Sequence, residues 1–382
     1  MIIVSVFFLL LVNSAFCAAV ESRQVCVVKD PIASVWSTPR EVRGPFRYPL
    51  VPSWLPAVAQ AHEGAVSLAT HDSQLLYGEH VTILKNCGSM YKVAIPSQCS
   101  FDGKTAQPAV GYVQKKHLVR CAMSADLATW VVQTIKAPVA IPRQKRFLPF
   151  GAIIQTGGVD FVGDDHVAIT LLSGKRGKIH LDDVRYVLSV VEDASSLREA
   201  VCINAKKFLG VPYCWGGRSP FFGRIGRVPV SNYLVPSGVD CSGFISLLMH
   251  SVGLMVPRNS GAQYLFANPV DPAAMEPGDV FYMGPTGMGY PRHILMYCGY
   301  GMVIEAAGGD GAASCVCLSS VEKRFGRPLA ALENGMDIVS AGRGRAFKLY
   351  CGSFFRDPVT LQQMRTNFLA NIGQNANAEN VY

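Results

Sequence analysis

No run of five or more lysines and arginines occurs in this 382-residue chain, although its formal net charge is +8. Phosphate backbones are gripped by clustered cations. The dispersed excess therefore argues against nucleic acid and suits a broader anionic partner such as cell-wall polymer. A membrane-spanning apolar run is also missing at the start: Met1 to Val12 falls short of the roughly 20 residues that cross a bilayer. With the small residues Asn13-Ser14-Ala15-Phe16-Cys17-Ala18-Ala19 behind it, the run reads as a signal-peptide core without the usual basic n-region. Phe16 suits a lipid-attachment cysteine poorly, so cleavage is expected near Cys17 to Ala19, with residues 1–18 as the signal peptide. The expected product is secreted or periplasmic, without stable membrane insertion. Zinc spacing is absent too: Cys315 and Cys317 have no second pair. Neither a metal nor another cofactor is expected.

Twelve cysteines are present. With Cys17 cleaved off and one thiol reserved for chemistry, ten remain, enough for disulfides in an exported protein. Cys298, inside Ile294-Leu295-Met296-Tyr297-Cys298, reads instead as a buried thiol. A hydrophobic share of 49% argues against extended disorder, and the length fits two or three domains.

Three zones differ in pattern. Residues 25–121 show short apolar runs broken by turns, among them Val66-Ser67-Leu68, Val81-Thr82-Ile83-Leu84, Tyr91-Lys92-Val93-Ala94-Ile95 and Gly111-Tyr112-Val113. Residues 122–191 repeat that order with Gly151-Ala152-Ile153-Ile154, Val167 to Leu172 and Gly177 to Leu181. Short strands without helical periodicity predict two small β modules. The proline-rich and basic stretch Pro138 to Pro149 is expected as an exposed turn or loop. In the third zone, 195–356, Leu197, Val201, Ala205 and Phe208 recur at helical spacing before Gly210. A second helix is predicted over Cys241 to Val252, and strands at Val280 to Met283, His293 to Cys298 and Met302 to Ala306. Helices followed by an antiparallel sheet make an α+β class. Residues 357–382 are expected as a C-terminal tail.

Asp240-Cys241-Ser242-Gly243-Phe244 carries the strongest chemical signal. Asp240 is an N-cap residue type, which places the Cys241 thiol on a helix's first turn. Unpaired N–H groups and the macrodipole there favour a thiolate, the nucleophilic form. His293, heading an apolar strand, says little by itself.

In chain order, five segments resemble the NlpC/P60 family of papain-like cell-wall peptidases. They are Gly210-Val211-Pro212-Tyr213-Cys214-Trp215-Gly216-Gly217, Asp240 to Phe244, Pro257-Arg258-Asn259-Ser260 with Gln263, Pro277-Gly278-Asp279-Val280, and His293 to Tyr297 with Gly299. The resemblance implies Cys241 as nucleophile, His293 as general base and Glu305 as the group orienting the imidazole, at a position where histidine is commoner. It implies a substrate-facing role for Tyr213. The first two zones resemble bacterial SH3 (SH3b) domains, expected as two small barrels ahead of the catalytic domain. Relatives so built are γ-D-glutamyl-L-diamino acid endopeptidases acting on stem peptides or free muropeptides of peptidoglycan. The narrower resemblance implies a pocket for a free N-terminal amine made by Glu79, Tyr112, Asp240 and Ser242. Two other readings remain: an inactive wall-binding protein, and an N-acetylmuramoyl-L-alanine amidase of related fold. The insertion Arg218 to Ser237 reads equally as a lid or as a neutral surface loop.

Overall fold

The structure is a computed structural model, which describes residues 24–39, 71–101, 105–120, 127–142, 144–188, 191–220, 224–225, 228–229, 238–287, 290–307, 315–339 and 346–372. The expected signal peptide, Val66 to Leu68 and Arg227 lie outside them. No described helix is long and apolar enough to cross a membrane.

The first module consists of β1 (Val25–Val28), β2 (Ile32–Trp36), β3 (His71–Leu76), β4 (His80–Cys87), β5 (Met90–Phe101), β6 (Ala106–Gln114) and β7 (Leu118–Arg120). Among the described residues they form one antiparallel sheet in the order β3-β2-β6-β5-β4-β1-β7. Val28, Ala33, Leu75, Val81, Val93, Ile95 and Val113 fill its core.

Two sheets make up the second module. β8 (Ala128–Val132), β11 (Ile153–Thr156) and β15 (Val184–Tyr186) form one; β9 (Lys136–Ile141), β10 (Gln144–Pro149), β12 (Phe161–Val162), β13 (His166–Thr170) and β14 (Arg176–His180) form the other. Side chains from both, including Trp130, Val132, Val139, Ile154, Val167 and Ile179, share one core. The stretch expected as a loop is the β9–β10 hairpin, with Pro138 opposite Phe147. Pro138, Pro142, Lys136 and Arg146 are exposed, while Ala137, Val139, Leu148 and Pro149 are buried. Period-two burial, the signature of a half-buried strand, outranked proline density here.

Helix α1 (Ala194–Lys206) opens the third region, capped by Asp193, which accepts from Ser196 N at 2.9 Å. Its Leu197, Val201 and Ala205 are buried as the spacing predicts, and Gly210 follows at φ +80. Helix α2 (Cys241–Ser251) is buried on all sides, and the short α3 (Ser260–Phe266) follows it. An antiparallel sheet then forms from β16 (Val280–Pro285), β17 (His293–Gly299), β18 (Met302–Ala306), β19 (Val316–Ser320), β20 (Asp337–Val339) and β21 (Ala346–Ser353). Its order is β21-β16-β17-β18-β19, with β20 and the pair Asn268–Pro269 also on β21. Helix α4 (Val321–Phe325) leaves β19 directly. One face of this sheet packs on α1 and α2 through Phe244, Leu248, Val280, Ile294, Met296 and Ile304.

The expected C-terminal tail holds another helix, α5 (Pro358–Asn371). Its Leu361 and Met364 join the catalytic core, and its Phe368 and Leu369 meet Val131 and Ile153 of the second module. The modules also grip each other through backbone: Ile153 N donates to Tyr77 O at 2.8 Å, and a Cβ on Gly78 would come within 2.1 Å of Ile153 O. Among the described residues the expected disulfides do not form: all ten cysteines there are free thiols.

Candidate active site

Cys241 is the first residue of α2, and Asp240 caps that helix by accepting from Gly243 N at 2.6 Å. The cap is braced from several sides. Gly216 N donates to Asp240 Oδ2 at 2.9 Å, and Arg258 forks onto both carboxylate oxygens at 3.0 and 2.7 Å. Ser242 Oγ adds a bond to Oδ1 at 3.1 Å. The Trp215-Gly216-Gly217 segment packs against the helix start so closely that a Cβ on Gly243 would sit 2.3 Å from Gly217 O. Glycine at that position permits the approach. The thiol is thereby fixed at a positive helix end, on a rigid element.

His293, at the head of β17, bonds Glu305 on β18 through one ring nitrogen and faces Cys241. Its Nε2 lies 2.5 Å from Glu305 Oε2, which leaves Nδ1 for the thiol. Burial works against charge on this imidazole. The interactions with Cys241 and then with the Glu305 carboxylate outweigh it, and the His293 pKa rises to about 9. Glu305 moves the other way. Burial alone would raise it, yet its bonds and charge contacts with His293 and Arg324 bring it down to about 2. At neutral pH the site therefore holds an imidazolium beside an ionised carboxylate, facing the Cys241 sulfur.

Tyr213 bridges to Val239 just before the cap. Burial, followed by the negative charge of Cys241 and Asp240, pushes its phenol upward, so it stays a hydrogen-bond donor beside the sulfur. Its neighbour Cys214 is a buried thiol raised by burial and by Asp240, so it offers no competing thiolate.

The residues expected to bind an amine are placed differently. Glu79 is fully buried, with both oxygens 3.0 Å from Arg218 Nη1 and Oε2 accepting from Leu76 N at 2.8 Å. An acid so enclosed offers nothing to a substrate ammonium. The resemblance implied Glu79 as part of an amine pocket; here its carboxylate is held by Arg218. Asp240 and Ser242 do flank the nucleophile, but their side chains are bonded to each other and to Arg258. Tyr112 is half-buried on β6, opposite Trp36 and Lys92. No hydrogen bond among the described residues joins it to Cys241.

Sequence reasoning named three arginines of this region in passing or not at all. Arg258 ties the cap to the first module by donating to Ser73 Oγ at 2.9 Å, while its N–H donates to Cys99 O at the same distance. Arg218 does likewise through Gln74 O at 3.0 Å and Gln74 Oε1 at 2.7 Å. Arg324, from α4, holds Glu305 Oε1 at 2.6 Å and Oε2 at 3.2 Å. Of the insertion, Arg218–Ser219 pairs with Gly238–Val239, and Arg224–Ile225 with Val228–Pro229.

Known proteins align with this geometry. The model of the NlpC/P60 family matches residues 210–325, which contain Cys241, His293 and Glu305. A γ-D-glutamyl-L-lysine dipeptidyl-peptidase of Bacillus cereus is 24% identical over 256 residues, covering 65% of this chain and 71% of that protein. The peptidoglycan endopeptidase RipB of Mycobacterium tuberculosis is 37% identical over 125 residues, 33% of this chain and 48% of its own. In fold, a crystal structure of an NlpC/P60 family protein from Bacillus cereus superposes with a TM-score of 0.59 at 19% identity, covering 78% of this chain and 94% of that one. The arrangement of thiol, imidazole and carboxylate thus lies within an NlpC/P60 domain, which this chain carries over residues 210–325.

Proposed function

We propose that the chain is a cysteine endopeptidase acting outside the cytoplasm on cell-wall peptides, at the bond between γ-D-Glu and a diamino acid, meso-diaminopimelate or L-Lys. The observation that carries this reading is the imidazolium of His293, held between the helix-start sulfur of Cys241 and the Glu305 carboxylate. The relatives' names supply the substrate class. The first two zones are read as SH3b-like modules that keep the catalytic domain against its polymer.

In this mechanism the Cys241 thiolate attacks the γ-carbonyl carbon and a C–S bond forms. The oxyanion is met by the first-turn N–H of Cys241 and the hydroxyl of Tyr213, groups already oriented before charge develops. The C–N bond then breaks, and His293 gives its proton to the departing amine. Water, deprotonated by His293, attacks the thioester; the acid leaves and the thiol is regenerated. Glu305 keeps the imidazole in the reacting orientation and stabilises its charged form.

The preference for a free N-terminal L-Ala is not part of this proposal, because the Glu79 carboxylate is already neutralised by Arg218.

Incubation with L-Ala-γ-D-Glu-diaminopimelate tests the reading. Release of the L-Ala-γ-D-Glu dipeptide, abolished in Cys241→Ala with an unchanged circular dichroism spectrum, is the expected result. An intact tripeptide beside a cut glycan-linked stem identifies an amidase instead. A Cys241 alkylated by iodoacetamide no faster than free cysteine identifies an inactive binding protein.

A further inference from the structure

Glutamate is an awkward choice for orienting a histidine. Its side chain has three rotatable bonds, and a carboxylate held only by the imidazole can swing away with it. Here the carboxylate has a second anchor. Arg324 approaches through Nε on one oxygen and Nη2 on the other, so rotation of Glu305 about its last bond breaks a charged contact whichever way it turns. Such forked pairing combines geometric restraint with strength.

Arg324 is in turn held by its own short helix. Ser320 Oγ caps α4 by accepting from Lys323 N at 3.1 Å, and Gly326 ends the helix at φ +74. Val321 and Phe325, on either side of Arg324, are buried in the sheet's second core. The Arg324 guanidinium lies 5.9 Å from the centre of the Phe325 ring. The chain thus runs from a packed core to a guanidinium, a carboxylate, an imidazole and the sulfur.

We propose that Arg324 is a positioning residue of this active site, fixing through its two contacts the Glu305 carboxylate that orients His293. The inference rests on the peptidase reading for its substrate, but not for its spectroscopic test. It also makes a statement about charge. The Arg324 guanidinium, bonded to both oxygens of Glu305, offsets part of the pull that this carboxylate exerts on the His293 proton. A proton held less tightly passes more readily to a leaving amine. Among the described residues, the other titratable and charged groups around the pair are Cys317, opposite Glu305 on β19, Cys315 two residues before it, and Lys323 on α4.

The test compares Arg324→Gln and Arg324→Lys with wild type in two measurements. The first is kcat and KM on the tripeptide. The second is the imidazole NMR titration of His293, assigned by its disappearance in His293→Gln. In Arg324→Gln, kcat is expected to fall by up to about 100-fold with KM little changed, as small misplacements do, and the His293 titration midpoint moves upward. Arg324→Lys restores the midpoint towards wild type while kcat stays depressed, because a point charge replaces a fork. Loss of kcat with an unmoved midpoint and a lowered melting temperature assigns Arg324 a structural role and overturns the proposal. So do unchanged kcat and midpoint together. If wild type leaves the tripeptide uncut while the midpoint still moves in Arg324→Gln, the substrate reading fails and the positioning role stands.

Discussion

Among the carboxylate–arginine pairs of this molecule, one lies at the seam between the first module and the catalytic domain and another on the catalytic sheet. Glu79 and Arg218 form the first, with side-chain exposures of 0% and 0%. Glu305 forms the second at 5%, with Arg324 at 21% and His293 at 25%. The chemistry of the two acids is the same, but only the second has partners that reach solvent and a thiol. A pair closed on every side can only fasten. One whose partner opens to substrate can transmit orientation and charge to reacting atoms. The difference warns against reading an acid near a cleft as a ligand before its own partners are known.

The sharpest way to break that contrast is to neutralise each acid in turn. Glu305→Gln removes the charge that holds His293 as an imidazolium, and kcat is expected to fall on the order of 10⁴-fold, as in other triads that lose this charge. Its stability should fall less than that of a fully enclosed pair, because Arg324 and His293 remain partly open to solvent. Glu79→Gln should do the reverse. It strands the Arg218 guanidinium in a fully buried site, which costs about 3–5 kcal/mol when one partner of such a pair is lost. Denaturant unfolding measures that loss, and kcat per folded molecule should stay within about two-fold of wild type. A Glu79→Gln protein of normal stability and poor activity would return Glu79 to the substrate and undo the comparison.

A smaller effect separates the pairs by pH. The His293 pKa is raised in the folded state, from 6.5 to about 9. Its contribution to stability is therefore fully present below about 6.5 and is lost as pH rises towards about 9. The melting-temperature gap between wild type and His293→Gln should be widest near pH 6 and narrow through that window. The gap for Glu79→Gln should stay flat over the same range. The imidazoles that sense Glu79, His80 and His250, are both lowered chiefly by burial, so neither titrates there. A sloping Glu79→Gln gap would mean that a group of the seam titrates near neutrality after all.

What could be read from sequence divides along the same line. Asp240 to Phe244 announced its cap, helix and thiol because an N-cap bond spans three residues and its residue types are local. His293 and Glu305 came only through the family resemblance, since a polar residue on a strand says little by itself. The arginines did not, since a long side chain leaves no trace of its target. Arg218 reaches an acid 139 residues away, Arg258 a serine 185 residues away. Even Arg324, only 19 residues from Glu305, lies beyond any helical or strand spacing. For the same reason Glu79, placed at an amine pocket by the resemblance alone, gave no sign of its partner Arg218 from another domain. Pro138 to Pro149 failed differently, through composition outweighing the alternation of Ala137, Val139 and Leu148.

The smallest expected effect is also the most direct probe of the seam. If Glu79 is a fastener, no buried acid waits unpaired for an ammonium, and a substrate without one leaves nothing unsatisfied. N-acetyl-L-Ala-γ-D-Glu-diaminopimelate should then be cleaved with kcat/KM within a few-fold of the free-amine tripeptide. A site that bonds the amine would behave otherwise, since polar groups left unpaired by a substrate that lacks their partner discriminate by about 10⁴-fold or more. Discrimination of that size by wild type, lost in Glu79→Gln, would show that Arg218 yields the carboxylate when substrate arrives. The two pairs would then differ only in when they open.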